Sequence, residues 1–418
     1  MGEWYLDFVD LGYTPSADEV LVEYYLEPRG VSPEEAAGRV ASESSIGTWT
    51  TLWKLPEKAK ELMARVYELE RQGEGYRAKI AYPLGLWEEG NLVQLFSGIA
   101  GNIFGMKAVG NLRLEDFQIP ASYAENFPGP GYGIPGIRKL MGVEGRPLTA
   151  TVPKPKIGWN VDEYVEIARE LWLGGIDLLK DDENFTSLSF NRFEERISRI
   201  YRLRDRVEQE TGEKKEYLVN ITAPFREMER RAALVADHGG GYVMIDIVVA
   251  GFSALQSMRQ VCGDLNLAIH AHRAMHAAFT RNSRHGISML ALAKAARIAG
   301  VDQLHTGTAI GKLEARAEEV RRINRSLTQE WYFKPVLPVS SGGLHPGIVP
   351  EIVEMFGTEL VIQAGGGVMG HPQGPGAGAK ALRQAIDAAV QGESLEERAS
   401  KSAELRAALD KWGHLKPV

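Results

Sequence analysis

Two stretches hold most of the side chains that could do chemistry together. Thr151–Lys156 reads Thr-Val-Pro-Lys-Pro-Lys, and Asp177–Asn184 reads Asp-Leu-Leu-Lys-Asp-Asp-Glu-Asn at the end of an apolar run. If that run is a strand, Lys180 and Asp182 point to the same face, and Glu183 follows as the chain leaves the strand. Carboxylates in this position predict a site for a hard, oxygen-binding cation such as Mg²⁺.

The lysine within the acidic stretch has two interpretations. In the first, Lys180 forms an ion pair with a neighbouring carboxylate, which is common at protein surfaces and contributes little stability. In the second, Lys180 has reacted with CO2 to give a carbamate, which offers the metal a third anionic oxygen. This segment alone favours the ion pair.

Length and composition exclude several classes of protein. A chain of 418 residues is too long for one ordinary core and predicts two or three domains, or a barrel with an appendage. A net charge of −7 without a basic block excludes nucleic acid and anionic membranes as partners. The single Cys262 excludes a disulfide framework and indicates a reducing compartment. With neither a signal pattern nor a membrane-spanning apolar run, we expect a cytoplasmic enzyme.

The first 130 residues follow the order of a ferredoxin-like sandwich. Ser32, Pro33 and Glu35 form a strong helix start. The predicted elements are a strand at 20–27, a helix from 33 towards 42, strands at 65–69 and 76–82, a helix at 91–100 and a strand at 106–112. This β-α-β-β-α-β order predicts an α+β ferredoxin-like domain over 1–130. The turn-rich segment 126–136 is the clearest linker.

After the linker, short apolar strands alternate with longer amphipathic helices. The strand candidates are 150–155, 176–180, 216–221, 242–247, 266–270, 302–305, 335–340 and 360–364. Eight strand–helix units predict an α/β fold, a (β/α)₈ TIM barrel with C-terminal helices over 131–418. An open doubly wound sheet is the alternative.

Polar residues and glycines recur where the predicted barrel strands end. In TIM barrels these carboxyl ends carry the active site. The residues there are Lys154, Lys156, Lys180, Asp182, Glu183, Asn220, Thr222, His270, His272, Arg273, His305, Ser340, Ser341, Gly342, Gly343, Gly365, Gly366 and Gly367. Each alone has an ordinary explanation, such as a packed histidine, but their recurrence favours one common site.

Two glycine clusters and one arginine predict the binding of phosphate groups. The glycines after strands seven and eight would present backbone N–H groups to an anion, although simple turns explain either cluster alone. Arg273 and His305 would hold a second phosphate. Lys312 lies in the glycine-flanked loop Gly307–Glu314, which fits a mobile lid, but the segment alone favours a solvated lysine. Gly374–Lys380 superficially resembles a P-loop, but no Ser or Thr follows the lysine.

Over nearly its whole length the chain resembles the large subunits of ribulose-1,5-bisphosphate carboxylase/oxygenase (Rubisco). The motifs that carry the resemblance are Glu43–Trp49, Gly101–Gly105, Thr151–Lys156, Lys180–Glu183, His270–His276 and His305–Glu314. Asn102–Met106 and the ending Lys411–Val418 are most similar to the archaeal form III branch. The resemblance implies carboxylation of ribulose 1,5-bisphosphate to two 3-phosphoglycerate, with oxygenation as a side reaction.

The resemblance also implies a role for each site residue. Lys180, carbamylated by activator CO2, would bind one Mg²⁺ with Asp182 and Glu183 and remove the C3 proton. Lys154 would assist enolisation and protonate C2 of the product. Lys312, partnered by Glu43, would hold the new carboxylate. The residues implied to support intermediates or bind substrate are His272, Lys156, Asn102, Arg273, His305, Thr48, Trp49, Ser341, Gly342, Gly343, Gly365 and Gly366.

In this family, Glu43 and Asn102 reach the barrel of a neighbouring subunit. The resemblance therefore implies a homodimer with shared active sites, sometimes assembled further, and no small subunit. The small-molecule partners would be ribulose 1,5-bisphosphate, CO2 and O2. Form III relatives usually work in nucleotide salvage from AMP, and one chain does not distinguish this from a CO2-fixing cycle.

Two departures from the family pattern fall near the lid. Ala315 stands where glycine is common, and the segment from there to Val336 is short for form III. Either would alter lid closure without removing the chemistry. One alternative is a Rubisco-like enolase or isomerase without CO2 fixation, against which the presence of Lys154, Lys156, Lys180, His272, His305 and Lys312 argues. The other is a non-catalytic scaffold subunit or sugar-phosphate-binding protein, against which the intact base, metal ligands and lid lysine argue.

Overall fold

A computed structural model describes residues 2–50, 52–310 and 317–416. The helices are α1 Gly2–Leu6, α2 Pro33–Glu43, α3 Glu57–Glu61, α4 Leu92–Ile99, α5 Ala121–Ala124, α6 Gly133–Met141, α7 Val161–Leu173, α8 Phe193–Thr211, α9 Phe225–Asp237, α10 Ile247–Ala250, α11 Phe252–Asp264, α12 Ala277–Thr280, α13 Met289–Ala299, α14 Ala317–Thr328, α15 Val349–Phe356, α16 Gly366–Met369, α17 Pro375–Gln391, α18 Leu395–Lys401 and α19 Ala403–Trp412. The strands are β1 Glu19–Pro28, β2 Arg65–Gln72, β3 Gly75–Pro83, β4 Val109–Gln118, β5 Leu148–Thr151, β6 Leu178–Lys180, β7 Glu216–Asn220, β8 Tyr242–Asp246, β9 Ala268–His272, β10 Gly286–Ile287, β11 Gln303–His305, β12 Leu337–Ser341 and β13 Val361–Gln363.

The chain forms two compact units. The first comprises Met1–Pro128 with Met275–Ile298, and the second comprises Gly129–Ala274 with Ala299–Val418. The predicted domain limits of 1–130 and 131–418 stay a prediction. Within the described residues, no helix is long and apolar enough to cross a membrane.

The first unit contains a five-stranded sheet in the order β10-β4-β1-β3-β2. Strands β1, β2, β3 and β4 with helices α2 and α4 have the predicted β-α-β-β-α-β order, with short α3 and the 3₁₀ helices Leu84–Leu86 and Asn102–Gly105 inserted between them. Helix α2 begins as predicted, with Pro33 at its start and the Ser32 side chain accepting a hydrogen bond from the Glu35 backbone N–H. Strand β10 pairs in parallel with β4 and comes from far along the chain, so sequence periodicity did not reveal it.

In the second unit, the strands close a parallel barrel in the order β11-β12-β13-β5-β6-β7-β8-β9. This confirms the (β/α)₈ barrel and excludes the open doubly wound sheet. The first predicted strand, 150–155, was wrong at its end, because β5 stops at Thr151. Pro153 and Pro155 have no N–H to continue a ladder, so Lys154 and Lys156 lie in the loop after β5.

An apolar cluster closes the amino-terminal end of the barrel. Ile134, Ile137 and Met141 of α6 pack there with the first residues of several strands, including Leu148 and Leu178. Helix α6 is also tied to the barrel wall, because the Ile134 N–H donates to the Pro335 carbonyl at 2.9 Å. Burying the apolar residues at this end leaves polar side chains to gather at the carboxyl ends of the strands.

Candidate active site

Two lysines from the loop after β5 meet the two carboxylates that follow β6. Lys154 donates a hydrogen bond to Asp182, and Lys156 donates to Glu183. The Lys156 ammonium also lies 3.8 Å from an Asp182 oxygen. Burial raises the pKa of Asp182, but the hydrogen bonds from Glu183 and Lys154 outweigh it and hold that pKa below its usual value. The two chemistry-bearing stretches therefore form one charged cluster.

Lys180 lies beside this cluster and is 1% exposed. Its Nζ donates to the main-chain oxygen of Asp181 at 2.7 Å. The ion-pair interpretation of the acidic stretch was therefore wrong about which lysine pairs, since Lys154 and Lys156 bridge the carboxylates. Burial lowers the pKa of Lys180, although the charge of Asp182 opposes this.

Asp181 anchors the end of β6 and was missed in the sequence. Its carboxylate is fully buried and accepts hydrogen bonds from the Tyr164 hydroxyl (2.8 Å), the Tyr217 hydroxyl and the Asn220 backbone N–H (3.0 Å). The buried Arg196 guanidinium lies 3.3 Å away. The signal was available, because strand alternation points Asp181 away from the face shared by its two neighbours.

Asn220, at the end of β7, fixes the loop that carries the carboxylates. Its amide nitrogen donates to the main-chain oxygens of Asp182 (3.1 Å) and Glu183 (2.9 Å). Its amide oxygen accepts from the Thr222 N–H at 3.0 Å. Of the two polar residues predicted after the third barrel strand, Asn220 therefore supports the end of β6, whereas the Thr222 hydroxyl accepts from the Asp246 N–H in β8 at 2.9 Å.

Three histidines from β9 and β11 form a buried cluster. His270 lies with its Nε2 2.9 Å from Nε2 of His305, and the His272 and His305 ring centroids are 4.8 Å apart. Nδ1 of His305 lies 2.7 Å from the Ser341 hydroxyl. Burial, assisted by the charge of Lys180, lowers the pKa of all three histidines well below the usual value. A lowered pKa favours the neutral form of each ring, which can still donate or accept hydrogen bonds.

Asp246, the last residue of β8, was also missed in the sequence. Its carboxylate lies 2.9 Å from Nδ1 of His272 and orients that ring. Burial raises the pKa of Asp246 to about 6, against the opposing charge of Lys180. The predicted fourth barrel strand spanned 242–247, so attention to its end would have found this residue.

Arg273 and the glycine loops frame the rest of the barrel mouth. Arg273 is largely buried and donates to the Thr306 carbonyl at 3.1 Å. Burial lowers its pKa to about 10, which still leaves it a cation at pH 7. Gly342 (φ 112°) and Gly343 (φ 76°) adopt backbone conformations that other residues rarely take. A Cβ on Gly366 would meet no atom within 4 Å, which leaves room for a ligand against the backbone.

The predicted site residues of the first unit lie on exposed or partly exposed positions. Glu43 is the last residue of α2, and Asn102 begins the short 3₁₀ helix Asn102–Gly105. Thr48 is partly exposed, and Trp49 is 74% exposed. Lys312, with Glu314 and Ala315, lies outside the described residues, so its assignment stays a prediction.

Asp182 and Glu183, with Lys180 beside them, are the side chains at this strand end that could hold Mg²⁺. Within the parts of the chain that the structure describes, no group of three histidine, cysteine, aspartate or glutamate side chains could hold a metal ion. Asp182 and Glu183 supply two hard oxygen donors, which suit Mg²⁺. Conversion of the adjacent Lys180 amine to a carbamate would add the third anionic donor, so these residues fit the metal in that form.

Comparison with known proteins identifies the family. Residues 133–412 match "Ribulose bisphosphate carboxylase large chain, catalytic domain", and residues 7–123 match the N-terminal domain of the same chain. The ribulose bisphosphate carboxylase of Pyrococcus abyssi is 70% identical, over 99% of this chain and 98% of that protein. The crystal structure of the octameric Rubisco of Pyrococcus horikoshii with sulfate has a TM-score of 0.96 at 70% identity, covering 98% of this chain and 97% of that one. The dimeric archaeal Rubisco of Hyperthermus butylicus has a TM-score of 0.94 at 48% identity, covering 98% and 100%.

Proposed function

Since the chain belongs to the ribulose bisphosphate carboxylase large-chain family, we propose that the polar strand ends of its barrel carry the reaction of that family. The chain is an archaeal-type carboxylase of ribulose 1,5-bisphosphate, with oxygenation as the side reaction. The product of carboxylation is two molecules of 3-phosphoglycerate. Each step of this reaction falls to particular residues at the barrel mouth.

The observation that supports this assignment best is the charged cluster around Lys180. Lys154 and Lys156 bond to Asp182 and Glu183, so the cations and carboxylates expected at a carboxylase site converge. Lys180 is buried among them with a lowered pKa, which increases the share of the neutral amine that can attack CO2.

We assign Lys180, carbamylated, with Asp182 and Glu183 as the magnesium ligands. Mg²⁺ bound there would supply Lewis-acid polarisation of the substrate oxygens. The Lys180 carbamate would take the C3 proton as a general base. Lys154 and Lys156, which now bond to these carboxylates, would release them to the metal and would then be free to face substrate.

The remaining barrel residues bind and orient the substrate. Lys154 would assist enolisation and later protonate C2, and Lys156 would stabilise the intermediates. His272, oriented by Asp246, would present its Nε2 to the reacting atoms. The residues that would bind the two phosphates and a substrate hydroxyl are Arg273 and His305 for one phosphate, Gly342, Gly343, Gly365 and Gly366 for the other, and Ser341 for the hydroxyl.

A homodimer would complete the site. We assign Glu43 and Asn102 as contributions to the neighbouring subunit's barrel, and Thr48 and Trp49 as further contacts of the phosphate that the glycine loops bind. Lys312 would hold the new carboxylate. The dimeric and octameric relatives are consistent with dimers that assemble further. We propose no small subunit, a cytoplasmic location, and supply of the substrate either by nucleotide salvage or by a CO2-fixing cycle.

The test measures ¹⁴CO2 incorporation into 3-phosphoglycerate under anaerobic conditions, with and without preincubation in CO2 and Mg²⁺. We expect fixation by the wild type to depend on preincubation, and Lys180→Gln to lose about 10²–10⁴-fold, the range of a general base. Lys215→Gln is the matched control, because Lys215 is another fully buried lysine, but it lies just before β7 at the opposite end of the barrel.

Three results would contradict these assignments. CO2 fixation that does not depend on preincubation would contradict the carbamate on Lys180. Fixation by Lys180→Gln at the wild-type rate would contradict the assignment of Lys180 as the base. Absence of fixation together with exchange of the C3 proton would favour the enolase-type alternative.

A further inference from the structure

Two buried histidines follow the two glycine loops of the barrel mouth. His345 comes two residues after Gly343, and His371 comes four residues after Gly367. Both are 4% exposed, and neither is part of the charged cluster or of the histidine cluster. Because each follows closely on a loop that we assign to a phosphate, the contacts of each histidine bear on where that loop lies.

Both histidines are bound in the same way to the last part of the chain. His345 Nε2 lies 2.7 Å from the Leu415 carbonyl, and His371 Nε2 lies 2.8 Å from the Glu404 carbonyl. The opposite ring nitrogen of each accepts a backbone N–H from two residues onward, at 3.2 Å and 3.1 Å. Since Nδ1 accepts, the proton is on Nε2, and each ring has one fixed tautomer that donates to the carboxyl-terminal region.

Trp412 lies between the two histidines. Its ring centroid is 5.7 Å from that of His345 and 6.4 Å from that of His371. The neighbouring Lys411 Nζ donates to the Gly370 carbonyl at 2.5 Å. His414 Nδ1 lies 2.9 Å from the Gly347 carbonyl. One short segment, Lys411–Leu415, therefore contacts the loop after β12 and the loop after β13.

At these contacts the backbones of the loops and of the carboxyl-terminal segment pack directly against each other. A Cβ on Gly367 would lie 2.1 Å from the Leu344 carbonyl oxygen, so the two loops touch each other directly. A Cβ on Gly347 would lie 1.8 Å from the Gly413 carbonyl oxygen, so the carboxyl-terminal segment touches the first loop just as closely. Backbone on backbone cannot adjust by a rotamer change, and a shift of the segment would move both loops.

We propose that Lys411–Leu415 is a positioning element that sets the spacing of the two glycine loops, and thereby the affinity for one phosphate of the substrate, through His345, His371 and Trp412. The inference rests on the proposed function, in which both loops bind that phosphate. Main-chain donors carried by separate strands hold one anion only if they converge within about half an ångström. None of the three side chains is among the residues that we assign to substrate binding, so we treat them as positioning residues.

The test compares steady-state kinetics and inhibition by inorganic phosphate in five proteins: wild type, Trp412→Ala, His345→Leu, His345→Gln and Lys416→Ala. We expect Trp412→Ala and His345→Leu to raise both KM for ribulose 1,5-bisphosphate and the Ki of phosphate about tenfold, the scale of one lost hydrogen bond to an ion. The change in kcat should stay within about twofold. His345→Gln keeps an N–H donor and should recover most of the affinity.

Lys416→Ala is the matched control. Lys416 lies one residue beyond the segment and makes an exposed ion pair with Glu351 at 2.6 Å, which contributes little. Its KM and Ki should equal those of the wild type. If one of Trp412→Ala and His345→Leu fails to fold, the other is compared with wild type and Lys416→Ala, and a phosphate Ki several-fold weaker in that folded variant alone supports the proposal.

Two outcomes overturn it. Unchanged KM and phosphate Ki in folded Trp412→Ala and His345→Leu would show that the segment does not position the loops. A loss of thermal stability or of kcat, with KM and phosphate Ki unchanged, would show that the segment has a purely structural role. Failure of the proposed function appears differently, as absence of CO2 fixation in the wild type.

Discussion

Replacing Arg196 by methionine tests whether the buried pair behind β6 holds the candidate site together. Arg196 and Asp181 are both 0% exposed. Although burial lowers the pKa of the Arg196 guanidinium, the oxygens of Tyr217 and Asp181 outweigh it and raise that pKa, so the cation persists. The guanidinium also donates to the Tyr217 hydroxyl (2.9 Å) and the Thr186 carbonyl (2.7 Å).

Arg196→Met leaves the Asp181 carboxylate buried without its cation and leaves several acceptors without donors. Breaking a buried pair from one side costs about 3–5 kcal/mol, whereas removing both charges costs much less. We therefore expect Arg196→Met to lower the free energy of unfolding by about that amount. Adding Asp181→Asn should restore part of the loss.

The assay is guanidinium denaturation of the three proteins, followed by tryptophan fluorescence, with the concentration of Mg²⁺ needed for half-maximal CO2 fixation measured in parallel. Because Asp181 lies between Lys180 and Asp182, a loosened strand end should raise that Mg²⁺ requirement. The reasoning is refuted if Arg196→Met lowers the free energy of unfolding by no more than about 1 kcal/mol, the size of an average single substitution, or if adding Asp181→Asn lowers it further.

Three further predictions concern other parts of the second unit. Burial raises the pKa of Glu216 to about 7, so between about pH 4.5 and 7 the folded state keeps a proton that the unfolded state has lost, and the free energy of unfolding falls as pH rises. At about 1.4 kcal/mol per pKa unit, the free energy of unfolding of Glu216→Gln relative to wild type should be roughly 3 kcal/mol higher at pH 8 than at pH 4. Denaturation at both pH values measures this, and a pH-independent difference would contradict it. Gly365→Ala would place a Cβ 3.3 Å from Cε of Lys154 and should reduce kcat, whereas Gly366→Ala fills open space and should chiefly raise KM and phosphate Ki. Steady-state kinetics that show the same changes in both variants would refute this distinction. Burial raises the pKa of Cys262 to about 12, so a disulfide reagent should modify it only as fast as the protein unfolds, and rapid modification of native protein would contradict that burial.

The sequence predicted those features of the barrel that depend on the local pattern of residues. Eight apolar strands and the polar residues after them located Lys180, Asp182, His272 and His305 at one barrel end, because parallel strands share a direction. Which side chains pair with each other could not be predicted from local patterns. Lys154 rather than Lys180 bonds to Asp182 because of the path of the loop after β5, a strand that two prolines end early.

Long-range contacts were also beyond the sequence patterns. The role of Asp181 requires Arg196 from α8 and Tyr217 from β7, and nothing in the acidic stretch indicates either partner. No local pattern marks His345 or His371, whose ring contacts with Trp412 come from distant α19. The roles of Glu43, Asn102 and Lys312 came from resemblance and not from any pattern in their segments.

The edge of the first unit's sheet has a consequence for synthesis of the chain. Residues 275–298 cover β4: β10 pairs with Arg113 and Leu114, the Ser288 hydroxyl donates to the Glu115 carbonyl, and Lys294 donates to the Phe117 carbonyl. At ~5–20 residues per second, the ribosome needs roughly 8–30 s after Pro128 to deliver this cover. Throughout that interval, nascent β4 is a bare edge that can pair with other chains. A fragment ending at the linker would carry the same bare edge permanently, so a soluble amino-terminal fragment needs that strand capped or charged.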